Sequence, residues 1–186
     1  QADCGPATIS ISQDVQGESF DYPEIFFQEK IHEIRRISPD AVQIKKAVDL
    51  IKNSKQPIII SGGGVLYSEA ERELSNFASK HNIPVVQTVM GFGCMLKDDP
   101  YNIGPVGGIG GRAANEIAKK SDLILAIGTK LGDFTTGSWA NFENPEFKLV
   151  SINAARFDAG KHMAQVVIGD AKVSLQELSQ ALGNWK

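Results

Sequence analysis

The feature that most constrains the fold is an alternation of short apolar runs with segments of helical periodicity. Residues 57–60 read Pro-Ile-Ile-Ile and end at three glycines, and residues 123–127 form a second run, Leu-Ile-Leu-Ala-Ile. Continuous runs of this kind are typical of strands that are buried on both faces of a parallel sheet. Because helical segments separate the runs, the sequence predicts an α/β fold with a parallel sheet.

Further signals extend this pattern over most of the chain. Ser38 with Pro39 predicts the start of a helix, Ser68 with Glu71 predicts a capping box, and Asp170 predicts the N-cap of the last helix. We predict a Rossmann-like three-layer domain over residues 38–182, of the DHS-like NAD/FAD-binding type, with five or six parallel strands. The predicted strands are residues 57–60, 84–86, 123–127, 148–152 and 166–168, and residues 7–12 form a separate predicted strand.

The composition excludes several classes of function. Hydrophobic residues make up 42% of the 186 residues and charged residues 22%, as in an ordinary globular domain. The net charge is −3 and no run of Lys or Arg exceeds two, so no nucleic-acid partner is expected. No apolar stretch approaches the roughly 20 residues that a membrane-spanning helix needs, so no membrane partner is expected.

The cysteines and histidines do not form the pattern of a metal or hydrolytic site. Cys4 and Cys94 lie far apart and are expected to be reduced thiols of a cytoplasmic protein, although two cysteines also allow one disulfide. His32, His81 and His162 lack metal-ligand spacing, and the sequence contains no GxSxG motif. We therefore predict no catalytic residue and no metal site in this chain.

Three glycine-containing segments are candidate binding loops, because ligands of such folds bind at the carboxyl ends of the strands. The first is Gly62, Gly63 and Gly64, directly after the first predicted strand. Tyr67 stands where a dinucleotide fingerprint has its third glycine, and Gln87 stands where an acid would bind the ribose. The alternative interpretation of this segment is a tight turn between strand and helix.

The second candidate comprises Gly108, Gly110 and Arg112 in a GxGxxA sequence. Amides at a helix N-terminus beside an arginine could hold an anion. However, residues 98–102 before this motif predict a loop, whereas a dinucleotide motif requires a strand there. The alternative interpretation is a glycine-rich crossover that lets two elements pack closely.

The third candidate comprises Gly128, Thr129 and Lys130, which follow the run at residues 123–127. Hydroxyl groups and a lysine at the carboxyl end of a strand form a plausible polar pocket. Equally, the threonines and the nearby Asp133 could satisfy backbone groups of the loop. The sequence leaves both interpretations open.

Taken in order, these segments resemble the central domain of thiamine-diphosphate enzymes. The resemblance covers nearly the whole chain and rests on residues 5–9, 14–15, 38–39, 56–64, 83–86, 104–107, 121–129 and 168–171. Within that family, a narrower resemblance is to the branch that hydrolyses a cyclic 1,2-diketone in myo-inositol catabolism. It rests on residues 13–18, 21–24, 26–27, 62–68, 133–138 and 157–162.

The resemblance implies a place for each segment in a longer parent protein. Residues 1–17 would end a pyrimidine-binding domain, residues 18–37 would be a connector, residues 38–182 the central domain, and residues 183–186 the start of a linker to a diphosphate-binding domain. The start at Gln1, without a methionine, also indicates part of a longer protein. The connector is expected to pack on another domain or back onto this one, because it contains Phe20, Tyr22, Phe26 and Phe27.

The resemblance also implies a function. The parent would use thiamine diphosphate and Mg²⁺, held by its two other domains, to open a cyclic 1,2-diketone by C–C cleavage as a homo-oligomer. The central domain would be a non-catalytic scaffold without a cofactor of its own, and the other two domains would be its partners. The alternative is an FAD- or NAD-binding module of an acetolactate-synthase-like enzyme. Such relatives typically carry an Arg where Phe134 stands, so FAD is not expected.

Overall fold

Six parallel strands form one sheet in the computed structural model, which describes residues 6–31, 33 and 35–186. They are β1 (Pro57–Ser61), β2 (Val85–Gln87), β3 (Asn102–Pro105), β4 (Leu123–Ile127), β5 (Lys148–Asn153) and β6 (Gln165–Ile168). Their spatial order is β3-β2-β1-β4-β5-β6, and every neighbouring pair is parallel. This is the strand order of the Rossmann fold, so the predicted fold class is confirmed.

Eight α-helices accompany the sheet in the part of the chain that the structure describes. They are α1 (Gln13–Gln16), α2 (Ala41–Asn53), α3 (Gly63–Tyr67), α4 (Glu71–His81), α5 (Arg112–Lys120), α6 (Asp133–Thr136), α7 (Arg156–Ala159) and α8 (Ala171–Leu182). Short 3₁₀ turns occupy Glu24–Phe27, Val89–Gly91 and Lys161–Met163. Helices α2, α4 and α8 cover one face of the sheet and α5 covers the other.

The two central strands explain the uninterrupted apolar runs. Along β1, Ile59 belongs to the core beneath α2, α4 and α8, whereas Ile58 and Ile60 belong to the core beneath α5. Leu125 and Ile124 of β4 divide between the same two cores. All five side chains are fully buried. Burying each one stabilises the fold by about 1.5–3 kcal/mol, which explains why these five positions are apolar on both faces.

Two sequence-based assignments are wrong, one of a strand and one of a loop. Residues 7–12 form no strand, because they are exposed and none of the six strands in the described part of the chain lies beside them to complete a ladder. The loop predicted over residues 98–102 ends one residue early, because Asn102 begins β3 and pairs with Val85. β3 lies at the edge of the sheet and contains Gly104 and Pro105, which an edge strand tolerates but which obscure its pattern in the sequence.

Two predicted helix caps are also wrong. The N-cap of α2 is Asp40 rather than Ser38, because its carboxylate accepts hydrogen bonds from the N–H groups of Val42 (2.9 Å) and Gln43 (3.2 Å). Ser68 follows α3 and donates its hydroxyl to Asp170 at 2.9 Å instead of capping α4. In both places an aspartate carboxylate replaces the expected local hydrogen bond of a serine.

Asp170 joins three parts of the chain, and its predicted role as an N-cap is confirmed. Its Oδ1 accepts hydrogen bonds from the N–H groups of Lys172 (3.0 Å) and Val173 (3.3 Å), the first turn of α8. Its Oδ2 accepts from Ser68 Oγ at 2.9 Å and from Arg36 Nη1 at 3.1 Å. Arg36 also donates to the Ser68 carbonyl oxygen. We call Arg36, Ser68 and Asp170 the Asp170 junction, which ties the end of the connector to α3 and α8.

The described residues before this junction, which include most of the predicted connector, are exposed. Every described residue from 6 to 31 is exposed to solvent. Tyr22 collects three other aromatic rings around it, with centroid distances of 5.5 Å to Phe20, 5.0 Å to Phe26 and 6.2 Å to Phe27. The described connector therefore makes a small aromatic cluster of its own and does not bury these rings against the sheet or its helices.

His81, at the end of α4, holds the C-terminal residues of the chain. Its Nδ1 lies 2.7 Å from the carbonyl oxygen of Trp185, and its buried Nε2 has no partner among the described residues. Burial lowers the pKa of His81, the charge of Lys80 lowers it further, and the hydrogen bond to Trp185 opposes both. Nδ1 therefore carries the proton and donates it to the Trp185 carbonyl in the neutral imidazole.

We expect Asp170→Ala to lower the free energy of unfolding by about 2–3 kcal/mol. It removes a helix cap, which is worth about 1 kcal/mol, and also the charged acceptor of Arg36 and Ser68. Asp40→Ala is the matched control, because Asp40 caps α2 and forms no ion pair with any described residue, and it should cost about 1 kcal/mol. Chemical denaturation measures both losses, and equal losses would contradict the junction.

The stability of the fold should depend on the protonation of His81. Its pKa is lower in the folded state than in the unfolded state, so the stabilisation is complete above about pH 6.5 and is lost as the pH falls below that value. His81→Phe should flatten this dependence. Denaturation of both proteins between about pH 5 and 8 measures the slopes, and an unchanged slope in the variant would show that another group is responsible.

Candidate functional site

The candidate site lies at the carboxyl edge of the sheet, between β1 and β4. The strand order reverses there, since β2 and β3 lie on one side of β1 while β5 and β6 lie beyond β4. Folds of this type bind ligands in the crevice at this switch point. Gly62, Gly63 and Gly64 follow β1, and Gly128, Thr129 and Lys130 follow β4, so the structure brings the first and third candidate loops together.

The glycines at this point let two backbones touch. The Gly62 amide donates to the Ile127 carbonyl oxygen and the Gly64 amide to that of Gly128, each at 2.9 Å. A Cβ atom on Gly62 would lie 2.4 Å from the Gly128 oxygen, and one on Gly64 would lie 2.6 Å from the Gly128 Cα. Gly128 itself has a φ of +60°. The amides of Gly62 and Gly64 are therefore engaged within the protein, which favours the tight-turn interpretation of the first loop.

The polar side chains of the third loop, Thr129 and Lys130, contact other groups of the domain itself. Thr129 is buried, and its Oγ1 accepts a hydrogen bond from the Leu131 amide at 3.3 Å. Lys130 is mostly exposed, and its Nζ lies 3.5 Å from Asp158 Oδ2. Lys161 lies on the other side of the same carboxylate, 2.7 Å from Oδ1. One carboxylate thus balances part of the positive charge of two lysines.

This arrangement keeps Asp158 ionised. Burial alone raises the pKa of the Asp158 carboxyl, but the hydrogen bond from Lys161 and the charges of Lys130 and Lys161 together hold the pKa below its ordinary value. Lys130 is consequently an ion-pair partner within the domain, and its ammonium group is directed toward α7.

The second candidate loop has the strand that its motif requires, because β3 ends at Pro105 directly before it. The Gly108 amide donates to the Phe134 carbonyl oxygen at 2.8 Å, and the Gly110 amide donates to that of Gly107 at 2.9 Å. The loop therefore reaches across to α6, and both of these amides are engaged. Arg112 begins α5, is exposed, and forms no ion pair with any residue that the structure describes.

Two amide side chains hold these loops: Asn115, which the sequence did not single out, and Gln87, which the sequence identified only as the replacement for a ribose-binding acid. Asn115 accepts a hydrogen bond from the Gly107 amide at 2.9 Å and donates to the Gly107 carbonyl oxygen at 3.0 Å. Gln87, buried at the end of β2, donates to Asn102 at 2.8 Å and accepts from the Gly93 amide at 2.9 Å. The position where a dinucleotide fold carries its ribose-binding acid is thus engaged in holding the loop after β2.

Cys94 lies behind the first loop and is poorly suited to act as a nucleophile. Its Sγ is 3.5 Å from the Gly62 carbonyl oxygen, and burial raises the pKa of the thiol to about 11. Cys4 and His32 lie outside the described residues. Within residues 6–31, 33 and 35–186, no cluster of three His, Cys, Asp or Glu side chains could hold a metal ion. None of the helices described is both long enough and apolar enough to cross a membrane.

Comparison with known proteins connects this fold to thiamine enzymes. The family model described as "Thiamine pyrophosphate enzyme, central domain" matches residues 44–178. The chain is 46% identical over 183 residues to 3D-(3,5/4)-trihydroxycyclohexane-1,2-dione hydrolase of Clostridium perfringens, a match that covers 97% of this chain and 28% of the relative. The enzyme of the same name from Geobacillus thermodenitrificans is 44% identical over 184 residues, with 99% and 28% covered. The chain thus spans 28% of the length of these curated relatives.

A solved structure shares the fold. An X-ray structure from Mycobacterium smegmatis, described as a thiamin diphosphate-dependent enzyme, superposes with a TM-score of 0.66. The match covers 84% of this chain and 31% of that one at 19% sequence identity. The likeness supports the architecture of the sheet and its helices.

Gly62→Ala should strongly destabilise the fold, whereas Gly108→Ala should be tolerated. The new Cβ atom at position 62 would meet the Gly128 oxygen at 2.4 Å, while at position 108 the nearest atom is the Phe134 oxygen at 3.9 Å. We expect the first substitution to cost about 3 kcal/mol, as for severe overpacking, and the second less than about 0.5 kcal/mol. Thermal or chemical denaturation measures both. Similar losses would contradict a close approach of the two backbones as the reason for Gly62.

Proposed function

Because this chain belongs to the family of thiamine pyrophosphate enzyme central domains, we propose that it is the scaffold domain of a parent hydrolase that opens a cyclic 1,2-diketone by C–C cleavage in myo-inositol catabolism. The proposal rests on the 44–46% identity with 3D-(3,5/4)-trihydroxycyclohexane-1,2-dione hydrolases over 97–99% of the chain. The chemistry itself belongs to parts of the parent that lie outside these residues, since the curated relatives are more than three times as long.

The described residues of this chain do not fit Mg²⁺ and the diphosphate of the cofactor. Asp170 is the acid that follows Gly169, and both of its carboxylate oxygens are engaged by Arg36, Ser68 and the first turn of α8. The amides of Gly62 and Gly64 are likewise engaged with the loop after β4. We assign thiamine diphosphate and Mg²⁺ to the other domains of the parent, and no catalytic step to this one.

The proposed division of the parent follows the connections at the two ends of the domain. Residues 1–17 end the pyrimidine-binding domain, residues 18–37 connect, residues 38–182 form the central domain, and residues 183–186 lead to the diphosphate-binding domain. The Asp170 junction fixes the incoming connector, and His81 holds the outgoing chain through Trp185. In this role the central domain separates and orients its two partner domains within a cytoplasmic homo-oligomer.

A nucleotide-binding role for the central domain has less support. A dinucleotide would require the amides after β1 and an acid at the end of β2. Those positions hold two engaged glycine amides and the side chain of Gln87, which is bonded to Asn102 and Gly93. The proposal therefore includes neither FAD nor NAD as a ligand of Gly62, Gly108, Gly128 or their neighbours.

Comparison of the full-length parent with the 186-residue chain tests this function. The parent, supplied with thiamine diphosphate and Mg²⁺, should open 3D-(3,5/4)-trihydroxycyclohexane-1,2-dione, whereas the chain alone should give no product. Native mass spectrometry of the chain with added FAD or NAD should show no stoichiometric adduct. Turnover by the isolated chain, or an inactive parent, would contradict the assignment, and an adduct would contradict the scaffold role without a ligand.

A further inference from the structure

Six large apolar side chains are exposed on loops at the carboxyl edge of the sheet. They come from the segments that follow four different strands, and the exposed fractions reach 70% at Phe134 and 80% at Phe157. Exposed apolar side chains grouped on one side of a folded domain indicate an interaction site, and Phe and Met are enriched in the cores of interfaces. We call this set the carboxyl-edge surface: Val89, Met90, Phe92, Ile109, Phe134 and Phe157.

Each of the loops that carry these side chains is held against a neighbouring part of the same edge. A Cβ atom on Gly91 would lie 2.3 Å from the Ser61 oxygen, so the loop after β2 rests on the end of β1. The Gly108 amide bonds the Phe134 carbonyl oxygen and joins the loop after β3 to α6. The Lys130–Asp158 ion pair then links the loop after β4 to α7. The six side chains therefore project from a preformed surface.

The opposite edge of the sheet is polar where β1 and β5 begin. Lys55 and Glu146 precede these strands, Lys148 begins β5, and all three are exposed. That edge also exposes apolar side chains, Met163 before β6 and Leu96 near the start of β3. The carboxyl-edge surface differs in that its six apolar side chains come from four neighbouring segments.

The path of the chain indicates which part of the parent lies there. The Asp170 amide, directly after β6, donates to the Ile37 carbonyl oxygen at 2.8 Å, so the incoming connector reaches the domain at the carboxyl edge. The outgoing chain is held through Trp185 by His81, at the end of α4 that leads into β2, which is the opposite edge. The polypeptide before the connector is therefore the nearer candidate for covering the carboxyl-edge surface.

We propose that the domain preceding the connector docks on the carboxyl-edge surface, with Phe134 and Phe157 among the side chains that it buries. The exposed rings of the connector lie on the same incoming chain. This inference rests on the domain order of the proposed function. The contact is apolar and requires no ligand, cofactor or metal ion.

Photo-crosslinking in the full-length parent tests the docking. Phe134→p-benzoyl-phenylalanine and Phe157→p-benzoyl-phenylalanine keep an aromatic ring at each position, and Lys148→p-benzoyl-phenylalanine is the control on the opposite edge. Peptide mapping by mass spectrometry should find crosslinks from positions 134 and 157 to residues that precede the connector, in the same or a second subunit, and none of these from position 148.

Three outcomes would overturn the proposal. Crosslinks to the polypeptide that follows residue 186 would assign the surface to the other flanking domain. Crosslinks to residues 38–182 of a second copy would make it an oligomer contact, and no crosslinks would leave it open to solvent. Activity is measured separately. Crosslinks to the preceding domain without ring opening would overturn the proposed substrate alone, and ring opening without such crosslinks would overturn the docking alone.

Discussion

The contact between the loops after β1 and β4 is the constraint on which the carboxyl edge of this domain depends. Gly62 and Gly64 place backbone directly against Gly128, with no space for a Cβ atom at any of the three positions. In a nucleotide-binding Rossmann domain, the crevice at this point holds the ligand. Here two peptide backbones meet in it, and their amides and carbonyl groups bond each other. The layer of loops that surrounds them is built outward from this contact.

The sequence predicted the parts of the fold whose signals are local and repeated. β1 and β4 are buried on both faces, so their apolar runs alone identified them. The edge strand β3 was missed because Gly104 and Pro105 interrupt its pattern. The partners of Ser68 and Asp40 could not be predicted either. A serine or aspartate near a helix start has several acceptors and donors within reach, and the tertiary fold decides among them.

The candidate site illustrates the same limit. Gly62 and Gly128 were identified from their positions after predicted strands and Gly108 from its GxGxxA sequence, and the structure does place all three at one edge of the sheet. What each glycine does depends on its surroundings: a Cβ atom on Gly62 would collide with the Gly128 oxygen, whereas Gly108 has space for one and contributes its amide to the Phe134 oxygen. The spacing of glycines in a sequence predicts a turn, but it does not reveal whether the amides in that turn face a ligand or another loop. The hydrogen bonds that the side chains of Asn115 and Gln87 make to the loops correspond to no recognisable sequence motif.

Most polar groups of the candidate loops are bonded within the domain. The domain is therefore expected to influence the rest of its protein through contacts at its surface. Asp170 shows this directly: its carboxylate bonds the connector, α3 and α8 at once, so the direction in which the chain enters is set by the same residue that starts the last helix. The layer of loops at the carboxyl edge does the same for apolar side chains, because it holds rings from separate loops at fixed positions. In the proposed function, such fixed positions would orient the neighbouring domains, and this domain would contribute to the reaction without a reactive group of its own.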